Sequence, residues 1–97
     1  MSRIVKLSPN KTFEVIAGLV IKNVFKLFMD GSGYNTDSLY PQNAILREGE
    51  RYKVLFVEND NIMICDEKTR HKHVVVILKY RKHLRSDVIK VIKEMGK

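Results

Sequence analysis

Cysteine occurs once in this chain, at Cys65, so no intrachain disulfide staples the fold and a reducing compartment is expected. No segment offers the roughly 20 nearly uncharged apolar residues that a membrane-spanning helix needs. The apolar stretch nearest the N-terminus carries Glu14, Lys22 and Lys26, and no small-residue cleavage site follows it, which argues against a secretory signal. Internal repeats, low-complexity tracts, a Cys-x-x-Cys pair and a His-Glu-x-x-His motif are all missing. These absences lead to the expectation of a soluble, cytoplasmic protein with no membrane association and no cofactor.

Acid is also missing from one particular stretch. Between Lys68 and Arg85 lie Lys68, Arg70, Lys72, Lys79, Arg81, Lys82 and Arg85, all three histidines, and neither aspartate nor glutamate. The whole chain holds 18 basic and 11 acidic residues. Removing those seven cations leaves the remainder balanced, so the formal charge of +7 resides in this window. Net charge of this kind bears on non-specific association and encounter rather than on fold.

What is present suits one small domain over residues 1–97: 44% of the residues are hydrophobic, enough for a modest core. A core that small also makes a homodimer worth expecting. Arg3 to Leu7 reads as a short strand. Ser8-Pro9-Asn10 reads as a helix entry, with serine as N-cap and proline in the first turn. From there to Met29, Phe13, Ile16, Ala17, Val20, Val24, Leu27 and Phe28 recur at helical spacing opposite Glu14, Lys22 and Lys26. A strand hairpin competes, because Val, Ile and Phe are frequent there, but the period predicts a helix. Residues 30–50 have no clear periodicity and read as a long, functional or mobile loop.

Three strands are expected next. Residues 51–58 alternate with Tyr52, Val54 and Phe56 on one face, Asn59-Asp60-Asn61 turns, and Ile62 onward leads back as a hairpin. His73 to Tyr80 forms the third, apolar on both faces at its centre and hence covered on both. Ser86 then reads as the N-cap of a helix carrying Val88, Val91, Ile92 and Met95. The predicted fold is α+β: a small antiparallel sheet, mainly a three-stranded meander with an additional N-terminal strand, packed with two helices.

The basic window falls into two clusters, because Lys72 and Lys79 stand about 23 Å apart on an extended strand. A nucleic-acid backbone, DNA or RNA, engages both at once, each cation releasing condensed counterions as it meets a phosphate. Non-enzymatic nucleic-acid binding, as in a regulator or chromatin-like protein, is therefore the expected function. Lys68, Arg70, Lys72, Lys79, Arg81, Lys82 and Arg85 would be the phosphate contacts, and Tyr34 and Tyr40 the aromatic ones. His71 and His73 would add charge below about pH 6.5.

Three alternatives accompany it. The 30–50 loop could dock the chain on another protein as a regulator. His71 and His73, with Cys65 or His83, could supply tetrahedral zinc ligands, although their spacing matches no finger. Asp66-x-Lys68 resembles the acid-x-lysine half-motif of the PD-(D/E)xK nucleases, which implies Mg²⁺ held by acids such as Glu14, Asp60 or Glu58 with the lysine assisting water. No proline-aspartate pair precedes it. The helix, three strands, helix order also resembles double-stranded-RNA-binding domains, without their lysine pair at the last helix. Residues 46–64 resemble the closing half of swapped-hairpin transcription regulators of the AbrB type.

Overall fold

The computed structural model describes residues 3–30, 33–36, 42–69 and 73–92. They form eight strands: β1 (Thr12–Val15), β2 (Leu19–Asp30), β3 (Gly33–Thr36), β4 (Gln42–Leu46), β5 (Arg51–Glu58), β6 (Asn61–Asp66), β7 (His73–Ile77) and β8 (Ile89–Ile92). Two single 3-10 turns, Glu67–Thr69 and Tyr80–Lys82, are the helical elements among the described residues. The predicted α+β class is thus wrong: the fold is a curled, all-antiparallel half-barrel. No helix among the described residues is long and apolar enough to cross a membrane.

The sheet runs β3-β2-β7-β6-β5-β1-β8, with β4 pairing the first half of β2. Its centre, β5-β6-β7, contains the three strands expected as a meander, joined by the turn at Asn59 and Asp60. Asn59 takes a left-handed φ of 56°, which asparagine tolerates better than most residues. Contacts through β4 tie the β2 side of the curl to the β1 side. Leu19 at the start of β2 pairs with Leu46 of β4. The turn after β4 bonds to the end of β1, Val15 N–H donating to Glu50 O at 2.9 Å and Gly49 N–H to Val15 O at 2.8 Å.

The first predicted helix is two strands, and the reason is instructive. β1 buries Phe13 and Val15 at a spacing of two, as a strand does. β2 buries Ile21 and Val24, a spacing of three, because its register against β4 shifts between those residues. Asn23, at φ 63°, absorbs the extra residue. A bulge in one strand and a turn at residues 16–18 therefore imitate a helical period. Ile16, Ala17 and Val20, assigned to the buried helix face, are exposed. Gly18 sits in that turn, where a Cβ would meet the Leu46 carbonyl oxygen at an ordinary van der Waals distance of 3.4 Å.

The second predicted helix is also a strand. Ser86 caps nothing helical; its hydroxyl accepts a hydrogen bond from Arg3 N–H at 2.7 Å. β8 pairs with β1 over Ile89 to Ile92, and Met95 lies outside the described residues. The expected strand at residues 3–7 reduces to a single bridge between Ile4 and Arg85. The 30–50 stretch, read as a loop, contributes β3 and β4, while 37–41 lie outside the described residues.

The inner face of the curl collects one apolar core. Phe13 and Tyr52 stack at its centre, ring centroids 5.7 Å apart, with Ile21, Leu46, Ile62, Ile64 and Ile77 around them. The Tyr52 hydroxyl reaches the edge and donates to Glu50 Oε1 at 2.8 Å, where Arg47 N–H also donates at 2.9 Å. Burial, and then the neighbouring Glu50 carboxylate, push the Tyr52 phenol well above its ordinary range. Burial alone would raise Glu50, but the Arg47 N–H, the Tyr52 hydroxyl and the charges of Arg47 and Lys68 outweigh it and hold that carboxyl below 4.5.

A group whose carboxyl is depressed in the fold contributes stability above its unfolded value and loses it as pH falls through the folded value. Urea unfolding at neutral and acid pH should therefore show the native protein losing stability below about pH 4.5. Glu50→Gln should lack that part of the acid dependence. Equal acid loss in both proteins would assign the effect elsewhere.

Candidate nucleic-acid interface

After β7 the chain leaves the sheet at Lys79, which adopts the left-handed region at φ 52°, ψ 48°. That conformation costs a non-glycine residue roughly 1 kcal/mol or more and persists only where its surroundings enforce it. Here they do. Tyr80 and Leu84, four residues apart around the 3-10 turn, insert into the core. Tyr80 N–H donates to the Asp60 carbonyl at 2.8 Å, tying the corner to the β5-β6 turn. With the apolar members drawn inward, Lys79, Arg81 and Lys82 are left on the surface.

These three cations are not equivalent. Arg81 donates through Nη1 to Asp60 Oδ1, and its guanidinium lies 5.5 Å from the Tyr80 ring centroid. Its charge is already engaged by the protein's own carboxylate. Lys79 and Lys82 line instead an open groove of about 560 Å³, which Lys22 and Asn23 of the β2 bulge also line. Val20, Leu78 and His83 line it as well, and among the described residues no carboxylate does. The bulge and the left-handed corner thus bring three lysines together from two distant parts of the chain. Asp60 shares a neighbouring hollow with Lys79, Lys82 and Arg81 and pairs with Arg81, so the three lysines together keep an excess of positive charge that favours an anion between them.

The other predicted contacts fall elsewhere. Lys68 follows β6 at the far end of the sheet, where its N–H donates to Asp66 Oδ1 at 2.8 Å and its charge acts on Glu50. Arg85 is half-buried and bridges to Ile4. Arg70, Lys72, His71 and Tyr40 lie outside the described residues. Of Tyr34 and His73 only the strand positions, in β3 and β7, are described.

The nuclease constellation does not come together either. Glu14 pairs with Arg51 at 3.3 Å, Asp60 pairs with Arg81, and Asp60 stands at the opposite end of β6 from Asp66. Among the described residues no group of three or more His, Cys, Asp or Glu side chains could hold a metal ion. The helix-flanked order shared with those nucleases and with double-stranded-RNA-binding domains disappears with the helices.

Two surface residues escaped the sequence reading. Lys22 was placed on the polar stripe of a helix; the asparagine after it was the available sign of a bulge. Phe56 was assigned to the inner face with Tyr52 and Val54. A register shift between Val54 and Phe56 makes β5 one residue longer than β6 there, which turns Phe56 outward to 51% exposure. The unbroken apolar run Leu55-Phe56-Val57 was its signature. Comparison with protein-family models, curated proteins and solved structures gives no match.

Proposed function

We propose that this protein binds nucleic acid without catalysis, with Lys22, Lys79 and Lys82 meeting successive phosphates along the groove. The observation that carries this reading is the groove itself: three lysines from the β2 bulge and the post-β7 corner, with no acid among the described residues that line it. Compared with the sequence reading, the anion site shrinks to one end of the basic window and gains Lys22. Arg81 becomes a brace for the corner. Lys68 becomes a partner of the acids at the other end. A cytoplasmic location belongs to the same reading, since that compartment holds the polyanion and keeps the lone thiol of Cys65 reduced.

Fluorescence anisotropy with labelled oligonucleotides tests it. Binding should be measurable at about 50 mM salt and fall steeply toward about 200 mM, because each neutralised phosphate releases counterions. Absence of binding to both single-stranded and duplex nucleic acid at the lower salt would end the proposal.

A further inference from the structure

We infer that the groove takes an unpaired strand rather than a duplex, with Phe56 as the surface on which a base stacks; this rests on the nucleic-acid reading above. The lysines do not stand on a polar wall. Val20 is 57% exposed and Leu78 41% exposed, and both line the groove. Leu78 also lines a second, adjoining hollow of about 200 Å³, whose walls include Phe56, Met63 and Asn61. Because Leu78 lines both, the hollow beside Phe56 adjoins the cationic groove. The two bulges build this arrangement, one presenting Lys22 and the other turning Phe56 out.

The chemistry changes from one compartment to the next. The groove offers ammonium groups, which suit phosphates. The hollow offers a ring, aliphatic side chains, the Asn61 amide and one carboxylate, Glu58. That carboxylate repels a phosphate, so what enters beside Phe56 is a neutral, flat group attached to an anionic chain. An unpaired nucleotide has this division: a charged backbone on one side and a base with a free π-face on the other. In a duplex the base faces are already stacked, and only the phosphates would find partners. Stacking of this kind tolerates any base, so binding without sequence preference follows.

The experiment uses the whole chain, a labelled oligothymidylate of about twelve nucleotides, a duplex of the same length and a heparin fragment of similar charge. Single-strand affinity should exceed both others. Phe56→Leu, which keeps apolar area but removes the ring, should weaken oligothymidylate roughly tenfold and leave the duplex and heparin unchanged. Phe56→Tyr should restore binding to within about twofold. Thermal melting of both variants checks that the half-exposed position leaves the fold intact. Unchanged oligothymidylate binding by Phe56→Leu, or equal affinity for heparin and single strand, overturns the inference while leaving the phosphate site standing. Failure of every polyanion to bind overturns both.

Discussion

Val15→Asp is expected to abolish the folded state, while Ile16→Asp, one residue later, leaves it intact. In the helix that the apolar period suggests, Ile16 belongs to the buried face and Val15 lies off it. In the observed sheet the order is reversed: Val15 is 0% exposed and Ile16 38%. A carboxylate at position 15 would sit inside the curl beside Phe13, where no buried side chain among the described residues is polar or charged. Burying an unpaired charge costs more than about 4 kcal/mol. A domain of this size commonly has only about 5–15 kcal/mol in total, so the native baseline should disappear from a urea titration followed by circular dichroism. At position 16 the backbone N–H still donates to the Val88 carbonyl at 2.6 Å whatever the side chain. The expected loss there is below about 1 kcal/mol. Similar losses at the two positions would contradict the strand assignment of β1.

The second large effect concerns the groove. Replacing Lys22, Lys79 and Lys82 together by alanine should weaken single-strand binding roughly a hundredfold at about 0.1 M salt. The estimate follows from counterion release: each neutralised phosphate contributes about 0.7 to the slope of log affinity against log salt, and at that concentration about 0.7 of a decade of affinity. Three contacts make about two decades, and the slope itself should fall by about 2. The slope separates a lost phosphate contact from a general loss of structure, since a partly unfolded protein binds less at every salt concentration without flattening the dependence. All three side chains are exposed, so the triple variant should remain folded. A hundredfold loss with an unchanged slope would mean that the lysines act through structure, and an unaltered affinity would remove them from the site.

The central part of the fold was legible from local patterns. Residues 51–58 alternate at their start, Ile62 to Cys65 is a short apolar run, an asparagine-rich turn joins the two, and Val74 to Ile77 is an apolar run of strand length. Their pairing in sequence order requires no long connection, so local information sufficed. The flanks were misread because regular periodicity was taken at face value. Phe13, Val24 and Leu27 do fall on a helical repeat, but only because a turn at 16–18 and a bulge at Asn23 each shift the alternation by a residue. Serine and proline at Ser8-Pro9 strengthened the error, being as common before turns as before helices. At the other end, Val88, Val91 and Ile92 fit a helical period, whereas the strand is carried by Ile89 and Val91 at a spacing of two.

The site shows the same division. Positive charge between Lys68 and Arg85 and its freedom from acid are properties of composition, and no folding was needed to see them. Which of those charges remain available was a matter of packing: Asp60 takes Arg81 because Tyr80 is held on the Asp60 carbonyl, and Lys79 is exposed because Tyr80 and Leu84 are drawn inward.

By itself the amino-acid sequence determined the β5-β6-β7 meander, the placement of net charge and the absence of an intrachain disulfide, since each depends on neighbouring residues or on counting. Tertiary structure alone decided that β2 lies beside β7, that Lys22 lines one groove with Lys79 and Lys82, and that Phe56 points outward. The physical reason is that a bulge adds one unpaired residue to one strand and reverses the facing of everything beyond it. Where that residue is placed depends on the register of a partner strand far away in the chain.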